Sequence, residues 1–146
     1  MFLFGMEIIK LLLCKPPRNE FFWESKYTRM AKHLRLGKKA EYLATDYLRK
    51  KGYYIRDKNY RNGQAEVDIV AQKSHRLYFI EIKSKQSMRY GEPEEQIGKG
   101  KIRRYHHAAE SFQLEEKWHG EIQFDSISIT FFPQAVKIEH FEDAFS

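Results

Sequence analysis

Four charged residues on two neighbouring apolar segments are where chemistry is most readily built in this chain. They are Glu66 and Asp68 within Ala65–Gln72, and Glu81 and Lys83 within Leu77–Ser84. Both segments alternate with a period of two, the signature of a strand. In the first, alternation places Glu66 and Asp68 on one face with Val70, and Val67, Ile69 and Ala71 on the other. In the second, Leu77, Phe79, Glu81 and Lys83 share a face opposite Tyr78, Ile80 and Ile82. The short stretch Lys73–Arg76 turns the pair into a hairpin in which Asp68 lies opposite Glu81 and Glu66 opposite Lys83. Opposed carboxylates repel unless something neutralises them. A divalent cation does so, and Mg²⁺ needs only one or two carboxylates, with waters and phosphate oxygens completing its shell.

Charges on a strand face are more often simply solvated, and Glu66 with Lys83 also reads as an ordinary cross-strand ion pair. Three features weigh against that. The two strands are otherwise apolar on both faces, as in a sheet covered on both sides. The charges gather at the ends distant from the turn. A further carboxylate, Glu41, sits at the margin of a helical apolar stripe beside Ala44 and Leu48, aimed toward the sheet.

The elements that must position these groups follow from periodicity. Ala40, Leu43, Ala44, Tyr47 and Leu48 recur at helical spacing from Gly37 onward, and Gly52 marks the stop, which makes a helix of about 15 residues. Three extended runs follow, Tyr53–Tyr60, Ala65–Gln72 and Leu77–Ser84, with Asn62-Gly63 as the first turn. A looser stretch, Gln86–Pro93, leads to a second helix with Ile102, Tyr105, Ala109 and Phe112 as its stripe. Pro93, Glu94 and Glu95 resemble its first turn, although Gly98 and Gly100 interrupt the entry. Glu121–Phe131 and Ala135–Phe141 are strands. The expected fold class is α/β: one central mixed β-sheet flanked by helices, in the order α-β-β-β-α-β-β.

At 146 residues the chain suits one domain with a real core, and 42% apolar against 32% charged residues excludes a disordered polymer. One cysteine, Cys14, excludes an internal disulfide, so a reducing cytoplasm is the expected location. No apolar run approaches the roughly 20 residues of a membrane span. The net charge of +6 suits a polyanionic partner such as nucleic acid. Residues 1–29 read as an N-terminal appendage or the product of an upstream start codon. Leu13-Cys14 has neither the basic region nor the small residue of a signal-peptide end. Met30 reads as a natural start, and residues 30–146 are the expected domain.

With these residues in place a resemblance emerges. Asp68 followed by Glu81-Ile82-Lys83 on the next strand resembles the D…(D/E)-x-K signature of restriction-endonuclease-like nucleases. Glu41 on the preceding helix resembles the arrangement in archaeal-type Holliday-junction resolvases. From Met30 to Phe145 the chain is similar to the YraN-like family of small bacterial proteins, classed as uncharacterised and endonuclease-like. The matching stretches are Gly37-Lys38-Lys39-Ala40-Glu41, Asn59-Tyr60-Arg61, Ala65-Glu66-Val67-Asp68-Ile69-Val70 and Phe79-Ile80-Glu81-Ile82-Lys83-Ser84-Lys85. Lys101 with Arg104, Phe124-Asp125 and Asp143-Ala144-Phe145 complete the match. Ala65 departs from the glycine usual at that place in the family, leaving Glu66 and Asp68 intact.

The resemblance implies a restriction-endonuclease-like single domain and a metal-dependent endonuclease that hydrolyses phosphodiester bonds of DNA, with branched or single-stranded forms as candidates. It makes Asp68 and Glu81 the core ligands of Mg²⁺ or Mn²⁺, with the carbonyl of Ile82 as a further ligand and Glu41 assisting. Lys83 would position or activate the attacking water. Glu66 reads either as a site member or as the structural partner of Lys83. By analogy with resolvases, the implied assembly is a homodimer.

Arg61, Lys85, Arg89, Lys99, Lys101 and Arg104 are placed to hold nucleic acid, although any one lysine on a helix is as readily just solvated. Tyr60 and Tyr90 flank the site and read as stacking groups or as core. His106 and His107, adjacent on a helix, point about 100° apart and do not readily chelate one ion. Glu139–Asp143 reads as a solvated face. The alternative function is a nucleic-acid-binding accessory protein with the nuclease fold and little or no catalysis. An interaction module with no nucleic-acid role would instead show binding that ignores salt.

Overall fold

In the computed structural model, residues 7–9, 26–87 and 97–145 are described. The elements are β1 (Glu7–Ile9), α1 (Lys26–Lys50), β2 (Tyr54–Asn62), β3 (Ala65–Lys73), β4 (Arg76–Gln86), α2 (Lys99–Glu115), β5 (Glu121–Phe131) and β6 (Val136–Phe141). They build one sheet in the order β1-β6-β5-β4-β3-β2. Only β4 and β5 run parallel; the other neighbours are antiparallel. A parallel pair requires a crossover, and α2 lies in it. The result is the mixed α/β sheet in the expected order, to which β1 adds an edge strand of three residues against Val136–Ile138.

Each face of the sheet is buried under one helix. Ala40, Ala44 and Leu48 of α1 pack on Ile69, Ala71, Ile80, Ile127 and Ile129. Tyr105, Ala108, Ala109 and Phe112 of α2 pack on Val67, Val70, Leu77, Phe79 and Phe124. This double cover is why the central strands are apolar on both faces. On the α2 side edge-on rings fill the layer, with Tyr60 5.1 Å and Phe79 5.9 Å from Phe112.

The helix stop at Gly52 has a structural cause. Gly52 takes φ 86, Gly52 N–H donates to the Arg49 carbonyl at 3.0 Å and Tyr53 N–H to the Leu48 carbonyl at 3.0 Å. A glycine accepts that left-handed turn without a side-chain clash. At its other end α1 departs from expectation. It begins at Lys26 rather than Gly37 and runs 25 residues. Residues 30–35 are exposed, so no buried apolar stripe marks them as helical. The second helix is described from Lys99, with Gly98 as its cap; Pro93, Glu94 and Glu95 lie outside the described residues. Among the described residues no helix is long and apolar enough to cross a membrane.

Candidate functional site

The β3–β4 hairpin has the expected register, pairing Lys73 with Arg76 and continuing to Ile69 with Ile80. There the ladder ends. The next residues along, Asp68 and Glu81, lie just beyond the last pair. On the other side of β3, pairs form at Tyr60–Val67 and Lys58–Ile69, while Asn59, between them, takes φ 53. Both strands therefore break their pleat at one level. This corrects the simple alternation: Val67 joins Val70 in the α2 core, whereas Ile69 and Ala71 face α1. A period-two reading assumes an unbroken pleat, and one irregular residue inverts every face beyond it.

At this seam Asp68 Oδ2 accepts the backbone N–H of Ile82 at 2.7 Å. The side chain thus satisfies a donor beyond the end of the ladder. Glu81 is buried at 5% exposure and accepts two hydrogen bonds, one from Lys101 Nζ and one from the Tyr105 hydroxyl. Lys101 and Tyr105 are four apart on α2 and reach down from the same helix face. Burial, and then the negative charge of Glu81, push the Asp68 carboxyl up to about 7; the Ile82 N–H and Lys101 pull the other way. Burial and the two carboxylates raise the Tyr105 phenol as well, so it stays a donor.

The remaining candidates divide. Lys83 and Lys85 follow Glu81 along β4, both partly buried. Lys99 and Arg104 are exposed on α2. Glu66 is paired across the β2–β3 ladder with Arg61, whose Nη2 lies 3.2 Å from its Oε1, and both side chains are largely exposed. The broken pleat separates Glu66 from the Asp68 side. Glu41 lines an open groove with Gly37, Lys38, Asn59, Arg61 and Glu66. Among the described residues, no three His, Cys, Asp or Glu side chains converge on a common point. Asp68 and Glu81 are therefore the pair brought together, without Glu41 or Glu66. Arg89 and Tyr90 lie outside the described residues.

Tyr60 is core: its hydroxyl donates to Glu115 Oε2 at 3.0 Å. The ring of His106 lies 4.3 Å from that of Phe124, and His107 is exposed. Two features escaped the sequence reading. Tyr105 looked like one more member of an apolar stripe; the signal was a phenol four residues after a lysine, facing a strand with a buried acid. His140 does not belong to a solvated face, because its ring is 8% exposed and 2.7 Å from the buried Asp125. That histidine shares a face of β6 with Val136 and Ile138, and an aspartate buried on β5 was its hidden partner.

The donor set at the seam is all oxygen: two carboxylates and, on the same strand, the carbonyl of Ile82. Such a set suits a hard divalent cation, which would balance the negative charge that the one cation Lys101 leaves on the pair when both carboxylates are ionised. Fold and site define a small α/β protein with an acidic pair at an opened hairpin and a lysine two residues further along.

Residues 40–129 match the uncharacterised protein family UPF0102, and the chain belongs to that family. It is 39% identical over 116 residues to a UPF0102 protein of Flavobacterium psychrophilum, covering 80% of this chain and 98% of that protein. A UPF0102 protein of Bacteroides thetaiotaomicron is 35% identical over 116 residues, covering 80% and 96%. One of Syntrophomonas wolfei is 38% identical over 111 residues, covering 75% and 96%.

Proposed function

We propose that this protein is a divalent-metal-dependent nuclease acting on DNA. The observation that carries the reading is the Asp68–Glu81 pair at the end of the β3–β4 ladder, with Lys83 next along β4. Asp68, Glu81 and the Ile82 carbonyl would hold Mg²⁺ or Mn²⁺. When bound, the ion supplies charge neutralisation at the phosphate and a lowered pKa for water. The Ile82 N–H anchors one oxygen of Asp68 and so orients the other. Tyr105 and Lys101 hold the Glu81 carboxylate in one position. Lys83 offers a cation to the phosphate oxygens as negative charge builds on them, or orients the attacking water. Lys85, Lys99, Lys101, Arg104 and Arg61 attract the polyanion without reading its bases.

Calorimetric titration with Mn²⁺ tests this on wild type and Asp68→Ala. Binding in wild type that disappears in the variant is expected, together with cleavage of branched or single-stranded DNA that Asp68→Ala and Lys83→Ala both abolish. Absence of metal binding in wild type, with and without DNA, would overturn the nuclease reading. Salt-sensitive DNA binding without cleavage would then favour the accessory-protein reading.

A further inference from the structure

The first turns of α1 whose side chains are described lie outside the core, which the helix joins at Leu36. Residues 30–35 are exposed, and so are Lys38 and Lys39. From Lys26 to Lys39 the chain carries six Lys or Arg and one His, and the first acid on the helix is Glu41. Its charges sit three or four apart: Lys32 with Arg35, then Arg35 with Lys38 and Lys39, so neighbours on the helix surface repel. The first turn also lacks an acid to complement the positive helix end. At 100° per residue, Lys32, Arg35 and Lys38 fall on the arc opposite the core-facing Ala40, Ala44 and Leu48, whereas the Lys39 ammonium lies over the Phe131 ring at 5.4 Å. Tyr42 falls on that same arc and is 70% exposed. The arc therefore presents three cations and an open aromatic ring within about 15 Å of helix.

We infer that this outward arc of α1 is a second nucleic-acid surface, on the face of the sheet opposite Lys99, Lys101 and Arg104. The inference rests on the nucleic-acid reading above and extends it to the substrate. A polynucleotide that engages α1 as well as α2 must reach both faces of the sheet, which fits duplex or branched DNA. Cations track the phosphates, and the tyrosine ring offers a stacking or sugar contact. An anionic membrane is the other polyanion to weigh. A helix that lies on lipid needs large apolar residues between its cations. Here the exposed Met30 and Leu34 line the groove with Asn59 and Arg61, beside Lys38 at one edge of the arc and not between its cations.

The test is anisotropy of a labelled DNA duplex of about three helical turns, in chelator, so that no cleavage intervenes. Wild type is compared with Lys32→Gln/Arg35→Gln/Lys38→Gln and with Lys99→Gln/Arg104→Gln across about 50 to 200 mM salt. Glutamine is a good helix former and relieves the repulsion, so thermal melting of the triple variant should match or exceed wild type. The expected result is weaker binding, with the slope of log K on log salt shallower by about 2 to 3 in the α1 variant. An unchanged slope there, with binding weakened only in the α2 variant, would overturn the α1 surface and leave the nucleic-acid reading standing. No duplex binding by wild type at low salt would overturn both. Capture of wild type but not the α1 variant by phosphatidylglycerol vesicles, without DNA binding, would make the arc a membrane contact instead.

Discussion

Two acids, one facing each helix, stand in opposite circumstances. Asp125 on β5 is fully buried, yet its carboxylate is met on every side. Gln123 Nε2 donates to it at 2.8 Å, the Asp143 N–H donates at 2.9 Å, and His140 Nε2 lies at 2.7 Å. Asp68 on β3 has the Ile82 N–H, but next to it stands a second carboxylate, Glu81, whose own partners are Lys101 and Tyr105. Asp125 is wholly buried and Asp68 half-buried, but depth alone does not set the two acids apart. Compensation does: the first acid ties β5 to β6 and to the turn at Asp143, whereas the second retains a charge problem that a ligand can relieve.

The sharpest way to break this comparison is to remove each acid in turn. Asp125→Ala leaves an amide, a backbone N–H and an imidazole without their acceptor and should cost about 3 kcal/mol in denaturant unfolding. Asp68→Asn relieves a repulsion and should cost less than about 1 kcal/mol at neutral pH, or stabilise. Equal losses from the two substitutions would erase the distinction.

Proton linkage sharpens it further. Because the folded-state pKa of Asp68 is raised from 3.8 to about 7, the native protein binds that proton more tightly than the unfolded chain does. Its contribution is fully present below pH 3.8 and is lost as pH climbs through about 7. Between those values stability should fall with pH, by at most about 1.4 kcal/mol per unit, and this fall should be missing in Asp68→Asn. Metal binding runs the other way. Mn²⁺ affinity should climb up to about tenfold per pH unit until pH 7 and then level, because the ion needs the ionised carboxylate. A pH-independent affinity in calorimetry would separate the metal from Asp68.

The smallest effect belongs to the exposed pair. Arg61→Gln breaks the contact with Glu66, whose side chain is 46% exposed, as is 74% of that of Arg61. Thermal unfolding should register less than about 0.5 kcal/mol. A loss comparable to that of Asp125→Ala would mean that Glu66 belongs to a buried network.

Much of this architecture was legible in the residue pattern. Strand Glu121–Phe131 begins and ends where alternation says, and the short turn Ser74-His75 held the β3–β4 register, which set Asp68 next to Glu81. What escaped depended on partners distant in the chain. Residues 30–35 of α1 are exposed and belong to neither core cluster, so periodicity was silent there. The inversion at Asp68 needs the matching φ 53 at Asn59, a residue nine positions away that carries no sequence mark of it. Glu41 lay on the correct helix face for the sheet, but helix spacing gives an angle and not a distance. The structure places it over Asn59 and Arg61.

By itself, then, the sequence determined the element order, the hairpin register and the identity of the acidic pair, because all three depend on local periodicity and short turns. Only the tertiary structure decided which acid is compensated. That choice is made by α2 delivering Lys101 and Tyr105 onto β4, and by β6 delivering His140 onto β5. Such contacts join residues 20, 24 and 15 positions apart, where pattern along the chain carries no information about charge balance across the core.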